Sequence, residues 1–336
     1  MKSIINSFSI LALLLMGALL TAAENKKLAQ TGFQFLSVVS DARASAMAEA
    51  MTSLETGSSA LFFNPAGMAN MTGILDITAS DNQWIADIRH NTFSLALSPA
   101  NGEYGVLGFS LQTVDYGDFY GTRVDKTTDL GYVDTEIFSL TAMSAGVGYA
   151  KRLTDRFSVG GQVRYVKQDL GKSVIPVITS ELDTVEREAD NSLNPLAFDF
   201  GTQFKTGYKS LVFGMSVRNF SKEIKYVEEG FQLPLVFNLG LSMNVLDFFE
   251  ESSIEQSLIV SLDASHYRSH PEQIKIGVDY RIMNLLSLRG GYISNNDESG
   301  LSFGVGVMKY GAGLDYSYTP FGVFDKVQRM SARFSF

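Results

Sequence analysis

The chain has 336 residues, a formal net charge of −9 and no cysteine. The lack of cysteine excludes disulfides, thiolate metal sites and a lipoprotein anchor, and the acidic balance argues against a nucleic-acid partner. Aromatic residues make up 12% of the chain, and 30 glycines stand against 7 prolines. Abundant aromatics suit the interfacial girdles of a membrane β-barrel. The balance of glycine and proline suits long strands joined by tight turns.

Residues 1–23 are predicted to be a signal peptide. Lys2 supplies the positive charge, residues 10–20 form an apolar run, and Ala22 and Ala23 precede Glu24. The run is too short to span a bilayer as a helix, and small residues at its end are typical of a cleavage site. We therefore expect export, with cleavage after Ala23. No later apolar run is long enough for a transmembrane helix.

Residues 24–72 lack a strand pattern and are predicted to form a short helical plug. Phe33 and Phe35 belong to a small aromatic cluster, and the alanine-rich residues 41–50 follow it. Asp41 is placed to cap a short helix there. Arg43 is a candidate partner for a carboxylate on the barrel wall, such as Asp199 or Asp279. A loose N-terminal arm is the alternative interpretation.

Residues 59–68 (SALFFNPAGM) are predicted to join this plug to the first strand. Pro65 fixes its own φ and pushes Asn64 out of the helical region. Gly67 permits a backbone turn that other residues resist. The segment can therefore end a helix and begin a sheet, although an ordinary helix stop would have the same pattern.

Residues 73–336 consist of segments of about ten residues that alternate with period two. In residues 157–165, Val163 and Tyr165 share one face, opposite Gln162 and Arg164. This pattern predicts an all-β fold, a transmembrane antiparallel β-barrel of about 14 strands. The strands are expected near residues 74–81, 88–98, 104–115, 138–151, 156–168, 194–206, 209–220, 234–246, 257–267, 272–282, 285–295, 300–309, 311–319 and 327–336.

The connections between the predicted strands alternate in length. Short turns mostly follow even-numbered strands, while residues 115–137 and 171–193 are predicted as long loops after odd-numbered ones. Short periplasmic turns and long extracellular loops are typical of outer-membrane barrels.

Charged side chains on the strands are predicted to face the lumen, because charges on the lipid face are costly. Their signs are mixed, which favours pairing across the lumen and with the plug over an ion-selective ring. The predicted lumen-facing charges are Arg164, Asp199, Arg218, Asp263, Asp279, Arg281, Arg289 and Asp315.

The last residues alternate up to a terminal aromatic, with Phe334 and Phe336 on one face. An alternating strand that ends in Phe looks like the signal that outer-membrane barrels present to their assembly machinery. That machinery is therefore an expected partner.

Residues 32–36, 41–47 and 59–67 resemble the N-terminal region of the PorV/PorQ family. That family is similar to the FadL-type long-chain fatty acid transporters, which share the Asn-Pro-Ala-Gly joint. The resemblance covers about residues 31–70. The chain departs from it where Ala48 follows Met47 instead of a glycine and where Glu49 adds a charge. It implies a plugged barrel in the outer membrane of a Gram-negative bacterium.

The resemblance implies two different functions. PorV/PorQ members assist type IX secretion by shuttling or attaching cargo at the cell surface, and this is the main expectation. FadL-like transport of hydrophobic molecules such as long-chain fatty acids is the alternative. Expected partners are thus outer-membrane lipid and either secreted cargo proteins with other type IX components or a hydrophobic small molecule.

No enzyme, cofactor or metal site is expected from the motifs. His266 and His270 are four residues apart, but they lie at a strand end and in a loop, so they do not form a helical metal pair. Phe33 and Phe35, together with Phe62 and Phe63, could line an apolar pocket. Packing of the plug against the wall would use the same aromatics.

Overall fold

The structure, a computed structural model, describes residues 31–125, 127–178, 184–226, 229–249, 254–296, 300–324 and 326–336. The predicted signal peptide and residues 24–30 of the predicted plug lie outside these ranges.

Alternating segments form a closed antiparallel barrel, which confirms the predicted fold class and the 14 strands. In ring order the strands pair with their neighbours in sequence, and the last pairs with the first. The barrel strands are β1 (Leu75–Gln83), β2 (Arg89–Leu97), β3 (Val106–Val124), β4 (Tyr132–Arg152), β5 (Phe157–Ile178), β7 (Leu196–Lys205), β8 (Val212–Phe220), β11 (Val236–Asn244), β12 (Gln256–Tyr267), β13 (Gln273–Ile282), β14 (Leu286–Ile293), β15 (Leu301–Lys309), β16 (Ala312–Pro320) and β17 (Lys326–Ser335). Outside the ring are β6 (Thr184–Leu193), β9 (Ile224–Lys225) and β10 (Gly230–Phe231).

Two of the predicted long loops are mostly strand. β3 and β4 continue as a hairpin beyond their neighbours, and β5 continues as a second hairpin with β6. Each hairpin begins at an irregularity in the ladder, after Asp115 in β3 and after Asp169 in β5. Both faces of such a ribbon meet solvent, so its sequence need not alternate, and the period-two pattern missed it.

The helices of the chain are short. Those of the N-terminal segment are the α-helix Ala42–Ala46 and the 3-10 helices Gln34–Ser37, Gly57–Phe62 and Pro65–Met68. Further 3-10 turns are Ile85–Asp87, Pro99–Gly102, Val245–Phe248 and Gly322–Phe324. Within the described ranges, no helix combines the length and the apolar character needed to cross a membrane.

The two faces of the barrel wall differ in polarity. On β5, the outward Val163 is 47% exposed, whereas the inward Gln162 and Arg164 are 3% and 4% exposed. The outward face carries a belt of exposed apolar side chains, among them Phe200, Leu288, Phe303 and Met330. An apolar exterior around a polar interior is the arrangement of a barrel solvated by lipid.

The C-terminus completes the ring. The carbonyl oxygen of Phe336 accepts hydrogen bonds from the amides of Ile74 (2.6 Å) and Leu75 (2.9 Å), and its own amide donates to Leu75 (2.8 Å). Its side chain is 74% exposed on the outside of the barrel. The final residue therefore closes the seam between the first and last strands.

Deleting Phe336 is expected to lower the amount of folded barrel while the precursor is still processed. The deletion removes three seam hydrogen bonds and the terminal aromatic. Heat-modifiable migration on a gel measures the folded fraction, and Phe324→Ala, an exposed aromatic outside the seam, is the control. An unchanged folded fraction would show that the terminal residue has no role in assembly.

Candidate functional site: the plugged lumen

Residues 31–72, called the plug below, lie inside the barrel. Nearly every side chain from Phe33 to Met68 is buried or half-buried, and hydrogen bonds tie its backbone to inward-facing side chains around the ring. The amide of Ala42 donates to Ser331 Oγ (2.8 Å), and Gln112 Nε2 donates to the carbonyl of Phe35 (3.0 Å). On β15, two strands from β17, Ser302 Oγ donates to the carbonyl of Ala46 (3.2 Å). The plug is thus seated against many strands at once.

The plug begins at the long-loop end of the barrel. Thr31 pairs with Gln232 as an added parallel strand residue beside β10. Phe33, Phe35 and Leu36 pack there against buried wall residues, and we call this group the mouth cluster. Its wall members are Val114, Ala142, Val166, Ala197 and Leu233. The ring of Phe231 stacks on Phe33, with 6.2 Å between centroids, and covers the cluster from the loop side.

The joint, residues 64–67, lies near the short-turn end. Asn64 is extended (φ −147°, ψ 103°) and caps the 3-10 helix that begins at Pro65. Its Nδ2 donates to the carbonyls of Thr52 (2.7 Å) and Thr202 (3.0 Å), and its Oδ1 accepts from the amide of Ala66 (3.1 Å). One side chain therefore connects two parts of the plug to β7.

Wall glycines make room for the plug. A Cβ added to any of nine inward glycines would lie within 3.0 Å of a plug atom. At Gly201 it would strike Asn64, and at Gly160 it would strike Pro65 and Ala66. The other seven are Gly108, Gly148, Gly214, Gly240, Gly277, Gly291 and Gly304. Interiors packed this closely do not accept an added methyl group without movement.

A charge network joins the helix of the plug to the wall. Arg43 Nη2 lies 3.2 Å from Asp279 Oδ2, so the structure places Arg43 beside the second of its two candidate carboxylates. Arg289 bridges Asp279 (Nε–Oδ1, 3.2 Å) and Asp315 (Nη1–Oδ1, 2.5 Å). Arg281 Nη2 lies 3.8 Å from Asp279 Oδ2 at the edge of the network.

Asp199, the other candidate partner of Arg43, forms a separate ion pair with Arg164 on the wall. Arg164 Nε is 2.7 Å from Asp199 Oδ2, and Arg164 Nη2 donates to Asp199 Oδ1 at 2.9 Å. Arg164 also donates to Asn219 Oδ1, and the amide of Asn219 donates to Asp199 Oδ1 (2.7 Å). One guanidinium thus lies against both oxygens of Asp199, and its hydrogen bond is to Oδ1. Arg218, the neighbour of Asn219, instead lies over the ring of Phe63, 5.9 Å from its centroid.

Two further polar contacts hold the turn after the plug helix. Asp263 Oδ2 accepts from the amide of Thr52 (2.9 Å). Glu49 Oε2 lies 2.6 Å from Lys275 Nζ, which also donates to Tyr267 Oη (2.7 Å). Glu49 has φ +64°, in the left-handed region. The charge at the position that departs from the PorV/PorQ pattern is therefore paired with the wall.

The histidines do not form a metal centre in the described part of the chain. His266 Nδ1 lies 3.1 Å from Glu272 Oε1, and His270 Nδ1 lies 2.7 Å from Ser269 Oγ. Among the described residues, no group of three or more His, Asp or Glu side chains is placed to hold a metal ion.

A small cavity separates the plug from one side of the wall. Its volume is about 20 Å³, enough for a water molecule. Apolar plug side chains line one side, among them Leu36, Val38, Phe62 and Phe63, and Arg164 and Arg218 line the other. The four aromatic residues that the sequence suggested as a pocket lining lie at two separate places. Phe33 and Phe35 lie in the mouth cluster, and Phe62 and Phe63 border this cavity.

No protein-family model and no curated protein matches this chain. Solved structures do resemble it. The CymD monoaromatic hydrocarbon channel aligns with a TM-score of 0.56 and 12% identity over 88% of this chain and 97% of CymD. The toluene transporter TodX of Pseudomonas putida aligns with a TM-score of 0.53 and 14% identity, covering 87% of this chain and 95% of TodX. A FadL homologue of Pseudomonas aeruginosa aligns with a TM-score of 0.52 and 13% identity, covering 88% and 98%. The chain therefore shares the fold of FadL-like barrels.

Proposed function

We propose that this protein is an outer-membrane channel that takes up small hydrophobic molecules. The mouth cluster carries the proposal: an apolar site at the long-loop end, built jointly by the plug and the wall. Apolar side chains with a few polar groups beneath them are typical of sites for such ligands. The shared fold with hydrocarbon channels supports the same function.

The apolar belt and the predicted signal peptide support a location in the outer membrane of a Gram-negative bacterium. Lipid of that membrane and the barrel assembly machinery are the partners this location implies. The long-loop end, with the mouth cluster, would face the exterior.

Uptake of labelled toluene by cells that express the protein tests the proposal. We expect uptake several-fold above cells with an empty vector. Val166→Thr places a hydroxyl in the mouth cluster and should reduce the rate about threefold, since a buried polar group without a good partner costs about 1 kcal/mol or more. Val163→Thr, on the outer face of the same strand, is the matched control. Uptake equal to that of the vector control would contradict the proposed function.

Assistance to type IX secretion is the second candidate. The β3–β4 hairpin beyond the barrel rim favours it, because it exposes large apolar side chains such as Tyr120 (80%) and Val124 (76%). Exposed apolar groups on a protruding ribbon are typical of protein contact sites. If this candidate is right, replacing residues 119–138 by a short turn should reduce secreted cargo in the medium of a strain with a type IX system and leave toluene uptake unchanged.

A further inference from the structure

The plug makes hydrogen bonds to both strands of the seam, where the last strand, β17, pairs with the first, β1. Asn82 of β1 and Arg329 of β17 lie directly opposite each other in this ladder. Both donate to the carbonyl oxygen of Val39 in the plug, Asn82 through Nδ2 at 3.3 Å and Arg329 through Nε at 2.8 Å. A single backbone atom of the plug therefore joins the two sheet edges that must meet to close the barrel.

The next inward-facing pair of the seam is also bonded to the plug. Ser80 of β1 lies opposite Ser331 of β17, and both side chains are buried. Ser331 Oγ donates to Ser80 Oγ (2.8 Å) and accepts from the amide of Ala42 in the plug (2.8 Å). The plug backbone thus completes a hydrogen-bonded chain across the seam.

A third inward-facing pair, Thr78 of β1 and Arg333 of β17, has the same arrangement. Thr78 Oγ1 accepts from Ser58 Oγ of the plug (3.2 Å). Arg333 Nη2 donates to the neighbouring Ser59 Oγ (3.1 Å) and to the carbonyl of Thr56 (2.8 Å). Three successive inward-facing pairs of the seam therefore share hydrogen bonds with the plug.

The seam is the strand pairing that the order of the chain makes most difficult. β1 ends at Gln83 and β17 begins only at Lys326, so nearly the whole barrel lies between them. Bringing distant parts of a chain together costs conformational entropy, and contacts between them form slowly. Until the seam forms, both edges carry unpaired backbone groups, which lipid cannot satisfy.

The plug is placed to ease this pairing. It directly precedes β1 in the chain, so it stays close to β1 during folding. Its hydrogen bonds to Arg329, Ser331 and Arg333 would hold β17 at the same place. Holding both edges on one segment raises the effective concentration of each near the other.

The close fit of the plug favours its seating before closure. The nine wall glycines that make room for it are spread over nine strands between β3 and β15. An open sheet can wrap around a seated plug and make these contacts strand by strand. A closed barrel would have to admit the plug through one end against all of them together.

We propose that the plug is a template for barrel closure, which seats on the open sheet and holds β17 beside β1 before their ladder forms. This assembly role adds to the closing of the lumen and is independent of the uptake function. The strands can still close without the plug, because the ladder bonds are their own, but they close more slowly.

The rate of seam closure during folding tests the proposal. Ala79 and Ala332 lie opposite each other in the seam and are exposed on the outside of the barrel. Ala79→Cys with Ala332→Cys should therefore report closure by forming a disulfide, without altering a plug contact. The protein without its predicted signal peptide is refolded from urea into phosphatidylcholine vesicles, and samples are oxidised at successive times. We expect the form that lacks residues 24–60 to close at least about fivefold more slowly than the plugged form, since it has lost hydrogen bonds that form before closure.

Two variants distinguish the seam from plug contacts elsewhere on the wall. Arg329→Met removes the β17 donor to the carbonyl of Val39. Gln112→Met removes a β3 donor to another plug carbonyl, that of Phe35, at 3.0 Å. Arg329→Met should slow closure of the plugged form several-fold and leave the rate of the shortened form unchanged. Gln112→Met should slow neither form.

Three outcomes would overturn the template. The first is a shortened form that closes as fast as the plugged form. The others are an Arg329→Met effect that persists without the plug and a Gln112→Met effect of equal size. The comparison of plugged and shortened forms decides the matter even if Arg329→Met does not fold. Toluene plays no part in this measurement, so failure of the template leaves the uptake function standing, and failure of uptake leaves the template standing.

Discussion

Removing residues 24–60 is expected to convert a nearly closed barrel into one that conducts ions. The plug fills the lumen against nine wall glycines, and a 14-strand barrel without it encloses a wide space. The shortened protein should still insert, because the strands make their ladder hydrogen bonds with each other. Planar-bilayer conductance of both forms is the measurement.

Shortening the tip of the β3–β4 hairpin, residues 125–131, is the control for this deletion. It removes chain outside the lumen, so the conductance should stay low. Heat-modifiable migration must show that each form is folded. If the deletion of residues 24–60 and the full-length protein conduct equally, the N-terminal segment does not close the lumen.

Asp279→Asn is expected to destabilise the seating of the plug more than any other single charge change. Asp279 is 1% exposed and contacts Arg43, Arg289 and, at its edge, Arg281. Neutralising Asp279 leaves these three arginines close together, with only the charge of Asp315 to balance theirs. Breaking a buried pair costs about 3–5 kcal/mol, and water in the lumen would reduce this figure. The temperature of heat modification should fall accordingly.

A double variant and an exposed control variant show whether the loss of stability comes from this charge network or from removal of any negative charge. Arg43→Met combined with Asp279→Asn removes one of the cations left unpaired, so it should be more stable than Asp279→Asn alone. Asp118→Asn, on the exposed β3–β4 hairpin, should have no effect. A melting temperature of Asp279→Asn equal to that of wild type would show that the network does not hold the plug.

The barrel could be predicted from the sequence because lipid and lumen impose alternation on every strand. The hairpin extensions could not, since solvent on both faces removes that signal. β3 illustrates the change: its alternation is clear up to Asp115, where the ladder becomes irregular, and the strand then continues to Val124.

The contents of the lumen were only partly predictable. Charges on the inward face could be recognised, but their partners depend on three-dimensional placement: Asp199 and Asp279 were equal candidates for Arg43 until Arg164 was placed beside Asp199. The glycines suggested tight turns, whereas nine of them give the plug its space. That role has no local signature, since a strand glycine looks the same whether or not a second segment lies against it.

The Glu49–Lys275 pair could not be predicted from the alternating pattern either. Glu49 looked like an added charge in a tightly packed turn, and its partner lies 226 residues away along the chain. Contacts of such separation follow from strand order around the ring and not from spacing in the sequence.

The most direct test of the plugged barrel uses the absence of cysteine in the chain. Ser58 of the plug and Ser94 of β2 have their Oγ atoms 3.0 Å apart, so Ser58→Cys with Ser94→Cys should form a disulfide on mild oxidation of intact outer membranes. Ser80→Cys with Ser331→Cys, whose Oγ atoms lie 2.8 Å apart on β1 and β17, is the matched pair within the wall. We predict that both pairs crosslink. A crosslink in the wall pair but not between Ser58 and Ser94 would contradict a plug inside the lumen.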